Sequence, residues 1–570
     1  MKERIHNLLA QAETLHRQQD INRAIKAYQS VLALSPQHVA ALEGLGLCSA
    51  QLNQMENAIH YFSLALEHHP LSEILHNNLG NVYKAIAQFD KAQNAYQKAI
   101  QINPNYAQAH HNLATLYARQ NQYRDALEHY RLAVNLAPDF VKAHYNLGLL
   151  LLKHQELDAA AIQFKNVLTL HPEHMDAHFY SGVLHLQANR LDDAEQDFQC
   201  VLKIDSEHIH ALVNLGVIQL KRGQGQLAID YFTKALGLDE HNIEARNNIA
   251  ATFIHHDRYE NALMHYDVLL KQSPDHIEYL YNAGVAQMAL GHLQKARAHF
   301  EHILRRQDTH FAALNNLAAI HSRLGHREQA ITFLRRALSV KPDDTATQFM
   351  LHAMTGETLQ PNACPEYARH LFDNYAVSYE QHMQTTLHYT LPHQIARILH
   401  QLNGLTTQSQ VLDLGCGTGL TGIILKEMSE QLTGVDLSAK MLAIAVDKGI
   451  YDHLIQSDIQ SFLNASQEQY SLIVAADVIP YLGELDSLFS VIKKRLDKNG
   501  RFIFSTEISD DQPWKLQSSA RFCHHQTYIQ ELCRKYDLTI IHHEQCIART
   551  QDAQPVNVHI DVIENERHAS

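Results

Sequence analysis

The sequence predicts an all-α superhelix of ten helix pairs followed by a single α/β domain. Three observations predict it. Pro36, Pro70, Pro104, Pro138 and Pro172 stand 34 residues apart, and Pro274 and Pro342 keep the same register. A small residue followed four positions later by a large one holds one frame for ten copies, from Ala24 and Tyr28 to Ala330 and Leu334. From Glu366 onward the period stops, and short apolar runs alternate with helical stretches. Self-similarity at a fixed period marks stacked helix pairs. Strand and helix in alternation mark a parallel sheet covered by helices on both faces.

A chain of 570 residues is too long for one core, which suits an array joined to a domain. The formal net charge of −14 argues against a broad duplex-binding surface, because phosphates demand clustered Lys and Arg. No nucleic-acid partner is expected. The seven Cys are scattered without a CxxC pair, which suits a reducing cytoplasm. No apolar segment follows Met1-Lys2-Glu3-Arg4, and no apolar run is long enough to span a bilayer, so neither a leader nor membrane insertion is expected. The 42 His include adjacent pairs such as His110-His111 and His255-His256. Neighbours point apart on a helix. Without ligand spacing these histidines read as scattered surface residues, and no metal site is expected.

Within each 34-residue unit, Gly or Ala recurs in the first half, as at Gly46, Gly80, Ala114, Gly148, Gly182 and Gly216. Small residues on both helices of a pair permit close approach. The large residue fills the gap toward the next pair, and Pro ends the unit. The pattern resembles the tetratricopeptide repeat (TPR). That resemblance implies a superhelix whose concave face holds a peptide or a protein partner.

Asn78, Asn112, Asn146, Asn214, Asn248, Asn282 and Asn316 share one frame at the sixth position of the unit. A helix interior does not favour Asn, whose amide competes with the backbone. The array is similar to the repeat region of the eukaryotic-type protein O-GlcNAc transferases, where an asparagine ladder grips an extended peptide. An amide carries both donor and acceptor and can read a main chain without regard to sequence. Spacing leaves open the alternative that these Asn bond between neighbouring helices. Ala10, Gly44 and Tyr180 interrupt the series. One more helix over 343–354 would close the array, and a turn-rich join over 355–365 follows. The boundaries read as 1–344 for ten repeats, 345–365 for the capping helix and linker, and 366–570 for the α/β domain.

The α/β domain is organised around Val411-Leu412-Asp413-Leu414-Gly415-Cys416-Gly417-Thr418-Gly419. An apolar strand runs into a glycine turn that can approach a ligand closely, and a helical stretch follows over 420–430. Further strands are expected over 410–414, 431–435, 450–456, 471–476 and 501–505. Asp436 ends the second strand and Asp458 the third. An acid at the second strand's end can accept two ribose hydroxyls. The glycines do not follow GxGxxG, and a Val435-Asp436-Leu437-Ser438 run with Met441-Leu442 behind it favours a ligand other than a dinucleotide.

These motifs resemble a Rossmann-like class I S-adenosylmethionine-dependent methyltransferase. The whole chain is similar to a bacterial group of predicted methyltransferases that carry TPR repeats. Four segments support the narrower match: Leu371 to Ala376 with Tyr379 and His382; Val474 to Val478 with Tyr481-Leu482-Gly483; Phe504 to Glu507; and Ala520 to His524 in a loop over 516–528. In that loop Ala520 and Phe522 replace the Gly and Tyr usual in the group. The resemblance implies S-adenosylmethionine as cofactor. It places Gly415, Cys416, Gly417 and Gly419 against the cofactor's amino-acid part, Asp436 and Leu437 at the ribose, and Asp458 and Ile459 at the adenine. Asp413 would hold the turn and approach the ammonium. Tyr375 and Tyr379 would form a lid, with packing of their helix as the plainer role. Asp477 would border both cofactor and acceptor.

The polar groups expected near the acceptor are Asp477, Tyr481, Glu507, His524 and His525. His524 is the general-base candidate, since its ordinary pKa lies near working pH, although a solvated loop histidine is the plainer reading. Catalytic roles fall to His524, Tyr481 and Asp477. No Asn/Asp-Pro-Pro-Tyr motif follows the fourth strand, which counts against families that methylate amide or exocyclic nitrogens through it. The expected protein is a cytoplasmic methyltransferase whose array recruits a protein or peptide. The acceptor could equally be a small molecule. The alternative is an adaptor with an inactive or cofactor-sensing domain. Glycosyl transfer, suggested by the repeats alone, does not match the motifs of the single domain behind them.

Overall fold

The computed structural model describes residues 1–356, 364–402, 408–510, 512–551 and 554–565. The join read over 355–365 falls mostly on 357–363, outside the described residues. The chain divides into two compact units, Met1–Ile249 and Ala250–Ser570.

In the first unit helices of 13 and 14 residues alternate, from Val39–Gln51 and Met55–His68 to Ile209–Lys221 and Gly225–Leu238. The 34-residue period is one such pair. The pairing depends on missing side chains. A Cβ on Gly46 would lie 2.7 Å from the Phe62 ring, one on Gly80 2.6 Å from Tyr96, and one on Gly216 2.5 Å from Phe232. Such distances lie inside van der Waals contact, so these helices approach only at glycine. Ala24, Ala58, Ala92 and Ala126 do the same on the second helices and are fully buried. The large residue also reaches the next pair, since a Cβ on Gly44 would lie 2.4 Å from Tyr28.

The histidines are not all on the surface, which corrects the sequence reading. His110, His111 and His144 are buried. His76, His110, His144 and His178 each set a ring nitrogen 2.9–3.0 Å from the carbonyl of Pro70, Pro104, Pro138 and Pro172 respectively. A carbonyl between two helices has no ladder partner and takes a side-chain donor instead. Among the described residues, no group of His, Cys, Asp or Glu could hold a metal ion.

In the second unit the pattern continues through Leu293–Arg306, Phe311–Arg323 and Arg327–Val340. The helix Thr345–Thr355 follows, capped by Asp344, which accepts from the Thr347 N–H at 2.9 Å. The sheet comprises β1 (Gln408–Leu414), β2 (Ser429–Asp436), β3 (His453–Gln456), β4 (Tyr470–Ala475), β5 (Leu496–Ile508), β6 (Trp514–Leu516), β7 (Phe522–His524), β8 (Thr539–Gln551) and β9 (Gln554–Glu564). Its order is β3-β2-β1-β4-β5-β7-β6, with β9 also on β5 and β8 on β9. The first five strands pair in parallel, as expected.

Three expectations are corrected. The sheet is mixed, because β9 runs antiparallel to both β5 and β8. Polar residues such as His542, His543, Glu544 and Gln545 deny β8 the apolar run of a doubly buried strand, so it was silent in the sequence. The helix after the glycine turn is only Gly422–Lys426, since β2 already starts at Ser429. The loop over 516–528 contains β7 and the start of the helix Gln526–Lys535.

Within this unit the helix Thr345–Thr355 and the sheet share a core. The Phe349 ring lies 5.2 Å from Tyr367 and 6.1 Å from Phe522, and Ala353 and Ala520 complete the cluster. Lys440 pairs with Asp257 at 3.5 Å.

The glycine contacts predict opposite effects at two sites. Gly216→Ala should destabilise the full chain by about 1–3 kcal/mol through overpacking against Phe232. Gly237→Ala meets nothing within 4 Å. It should stabilise by about 0.4–1 kcal/mol. Urea denaturation checks both, and a Gly216→Ala variant as stable as the parent would show that the ring yields instead.

Candidate active site

The carboxyl ends of β1, β2 and β4 and the helix Pro365–Gln381 face a cavity of about 1300 Å³. A site for one small molecule spans about 300–1,000 Å³, so two ligands fit side by side. The turn after β1 shapes one wall. Gly415 and Gly417 have φ of +65° and +54°, the left-handed region that glycine enters freely. A Cβ on Gly415 would lie 2.3 Å from Val478 Cγ2. One on Gly417 would meet nothing within 4 Å, so bare backbone faces the cavity there.

Asp436, at the end of β2, holds that turn. Its Oδ2 accepts from the Gly417 N–H and its Oδ1 from the Ser438 N–H, both at 2.8 Å. Burial raises its carboxyl above the ordinary range, opposed by those N–H donors. Asp458 caps the helix Ile459–Ala465 by accepting from the Ser461 N–H at 2.9 Å. Opposite lie Phe372, Tyr375 and Tyr379. Phe372 meets the Tyr481 ring edge-on at 5.2 Å, and Tyr375 meets Tyr379 at 5.3 Å. Burial pushes the Tyr379 hydroxyl well above its ordinary value.

A four-charge network forms the floor. Arg521 donates through Nε to Glu507 at 2.7 Å, through Nη1 to the Tyr481 hydroxyl at 2.7 Å, and through Nη2 to Asp477. Arg549 donates to Glu507 at 2.8 Å and to both Asp477 oxygens at 3.2 and 3.3 Å. Asp477 takes a φ of +57°, which Asp tolerates better than most residues, and its N–H donates to Ser505 Oγ at 2.9 Å. Arg549 sits where the β8–β9 pairing slips, and such a bulge re-aims a side chain.

Residues 379–543 match the family model for a methyltransferase domain, and residues 9–73, 71–139, 145–209, 211–242 and 287–354 match tetratricopeptide-repeat models. The chain carries a methyltransferase domain behind tetratricopeptide repeats. One curated relative, the ubiquinone biosynthesis O-methyltransferase of Pasteurella multocida (strain Pm70), is 27% identical over 143 residues, 23% of this chain and 59% of that protein. The malonyl-acyl-carrier-protein O-methyltransferase of Enterobacter lignolyticus (strain SCF1) is 30% identical over 105 residues, 18% of this chain and 41% of that protein. The chain thus covers roughly half the length of these relatives. Among solved structures, YrrB, titled a TPR protein with an unusual peptide-binding site, is 22% identical with a TM-score of 0.31 over 32% of this chain and 95% of that one.

The methyltransferase domain brings many of the sequence-selected residues to the cavity: Gly415, Gly417, Asp436, Leu437, Asp458, Ile459, Asp477 and Tyr481, with Tyr375 and Tyr379 opposite. Asp413, Cys416 and Gly419 are not on its wall. Asp413 is 1% exposed and accepts from the Tyr451 hydroxyl at 2.7 Å. Burial pushes its carboxyl up to about 7, against the pull of that hydrogen bond. Cys416 is buried, and Gly419 turns toward Tyr451.

His524 requires a correction. It belongs to β7, which pairs with β5, and its ring is 1% exposed and off the cavity. Its Nε2 lies 2.8 Å from the Gly483 carbonyl, and burial pushes its pKa down to about 4. A buried base of that strength is a poor proton acceptor for a cavity it does not face. His525 caps the helix Gln526–Lys535, its Nδ1 2.7 Å from Thr527 Oγ1. Sequence reasoning assigned no role to Arg521 or Arg549. Arg521 stood inside a quoted motif, whereas nothing around Arg549 signalled a strand that would carry it inward.

The asparagine series spends its amides locally. In the first unit Asn112 donates to Asn77 at 2.8 Å, Asn146 meets His111 at 2.9 Å, Asn214 donates to the His210 carbonyl at 2.8 Å, and Asn78 donates to Glu43 at 3.4 Å. In the second, Asn282 donates to the Tyr266 hydroxyl at 3.0 Å. Asn248 and Asn316 are partly buried.

Two outcomes follow for stability. Arg521→Ala leaves Asp477 and Glu507 short of a buried partner and should cost about 3–5 kcal/mol in chemical denaturation. For Asp413, the folded pKa lies above the unfolded value of about 3.9. As pH rises from about 4 to 7, the unfolded chain sheds this proton while the folded chain keeps it, so stability falls across that window. Asp413→Asn should therefore flatten the decline measured by denaturation at stepped pH, and an unchanged slope would place the proton elsewhere.

Proposed function

We propose that this chain is an S-adenosylmethionine-dependent methyltransferase acting on an oxygen of an acceptor brought by the repeats. The carrying observation is Asp436, clamped by two backbone N–H groups beside the bare backbone of Gly417, on the wall of a cavity with room for two ligands. These groups suit the cofactor. Each Asp436 oxygen keeps a further lone pair for a ribose hydroxyl. Gly417 offers close approach, and Ile459 behind Asp458 offers an apolar face for the adenine. S-adenosylmethionine, when bound, supplies a methyl group already activated by its sulfonium. The protein's task is then to hold the acceptor in line and exclude water. Phe372, Tyr375 and Tyr379 cover the cavity, and Tyr481 and Asp477 border the acceptor. The oxygen acceptor follows the names of the curated relatives.

In this reading residues 1–344 serve as the recruiting array, 345–365 as cap and linker, and 366–570 as the methyltransferase domain. A protein or peptide held by the array would reach the cavity at raised local concentration. Asn78, Asn112, Asn146, Asn214 and Asn248 of the first unit, and Asn282 and Asn316 of the second, are the partner-binding candidates, each through amide capacity beyond the bonds it makes within the array. The seven cysteines are free, which suits a cytoplasmic location.

Calorimetric titration of S-adenosylhomocysteine into the full chain tests the cofactor. Micromolar binding is expected, with a loss of at least about tenfold in Asp436→Ala, the usual scale for a removed hydrogen-bonding charge. No binding by a folded full chain would favour the adaptor reading.

A further inference from the structure

The cavity is not walled by the methyltransferase domain alone. Ser322 and Arg323, at the end of the repeat helix Phe311–Arg323, also line it, as does Met350 on the helix Thr345–Thr355. Charge balance singles out Arg323. The other two arginines of the wall, Arg521 and Arg549, are committed to Asp477 and Glu507. Arg323 is exposed, and among the described residues no carboxylate lies within ion-pair distance of it. Of the acids on the wall, Asp436 is clamped by backbone, Asp458 caps a helix and Asp477 is paired. Glu484 is exposed on the same wall and does not pair with Arg323. Among the described residues, Arg323 is therefore the one arginine of the wall without a carboxylate partner. Its field reaches Tyr375 and His382: after burial, Arg323 is the second influence lowering the His382 pKa.

We propose that Arg323 gives the cavity a carboxylate-binding corner, so that the repeats help select what occupies the methyltransferase site. A guanidinium matches a carboxylate through two parallel N–H donors, and an unpaired one at a cavity wall is poised to do so. The carboxylate has two chemical sources, the amino-acid end of the methyl donor and an acid group on the acceptor. The inference rests on the methyltransferase reading above.

The test uses the full chain as parent, Arg323→Gln and Arg323→Lys, in two calorimetric arms. The first compares S-adenosylhomocysteine with methylthioadenosine, which lacks the amino-acid end. The second adds 4-hydroxybenzoate or the uncharged 4-hydroxybenzamide to chain saturated with S-adenosylhomocysteine; aromatic probes suit the rings of Phe372, Tyr375 and Tyr481. If the donor supplies the carboxylate, Arg323→Gln weakens S-adenosylhomocysteine by about tenfold or more, leaves methylthioadenosine unchanged, and Arg323→Lys recovers part of the loss. If the acceptor supplies it, the first arm does not move. The parent then prefers the benzoate, and Arg323→Gln abolishes that preference. No effect of Arg323→Gln in either arm overturns the proposal while leaving the methyltransferase reading intact. Failure of the parent to bind either nucleoside overturns that reading, and this proposal with it.

Discussion

Four paired charges, three buried and the fourth, Asp477, half-buried at the cavity, set the architecture of the domain. Asp477 leaves the end of β4, Glu507 stands on β5, Arg521 precedes β7 and Arg549 lies on β8. Removing ions from water is costly, and only close mutual pairing offsets it. No member can therefore shift without stranding another. The network ties the antiparallel hairpin to the parallel part of the sheet and fixes the floor of the cavity. It is also neutral as a group. The floor itself thus offers little net charge to a ligand.

The repeats follow a different constraint, which is shape. Most pairs close because a glycine or alanine lets an aromatic ring lie on the opposite helix, as Phe232 does on Gly216. The carbonyls between pairs then need donors, and histidines supply them at Pro70, Pro104, Pro138 and Pro172. The abundance of histidine is in part a consequence of stacking. In the second unit the same kind of helix also contributes to the cavity, through Ser322 and Arg323. The last repeats and the cavity of the methyltransferase domain thus belong to one compact unit.

Much of the site was legible beforehand because its chemistry is local. The glycine turn needs Gly415 and Gly417 only two positions apart, and Asp436 and Asp458 follow at strand ends that apolar runs announce. Where the sequence misled, the reason was pairing between distant strands. His524 has the pKa of a general base on paper, but its place on β7 buries it against the Gly483 carbonyl. Asp413 sits two residues before the turn, yet its side chain points away from the cavity to Tyr451. The asparagine series was visible as a period, while the neighbours that bond it were not.

By itself the sequence determined the repeat length, where the five parallel strands fall along the chain and the residues that shape the glycine turn. Each of these is written in spacing along the chain. Only the tertiary structure decided that Arg521 and Arg549 close the floor, that β8 and β9 complete the sheet, and that a repeat arginine faces the cavity. Those outcomes depend on which charges and surfaces meet after the chain folds back, with Arg549 lying 72 residues from Asp477, a distance no local pattern encodes.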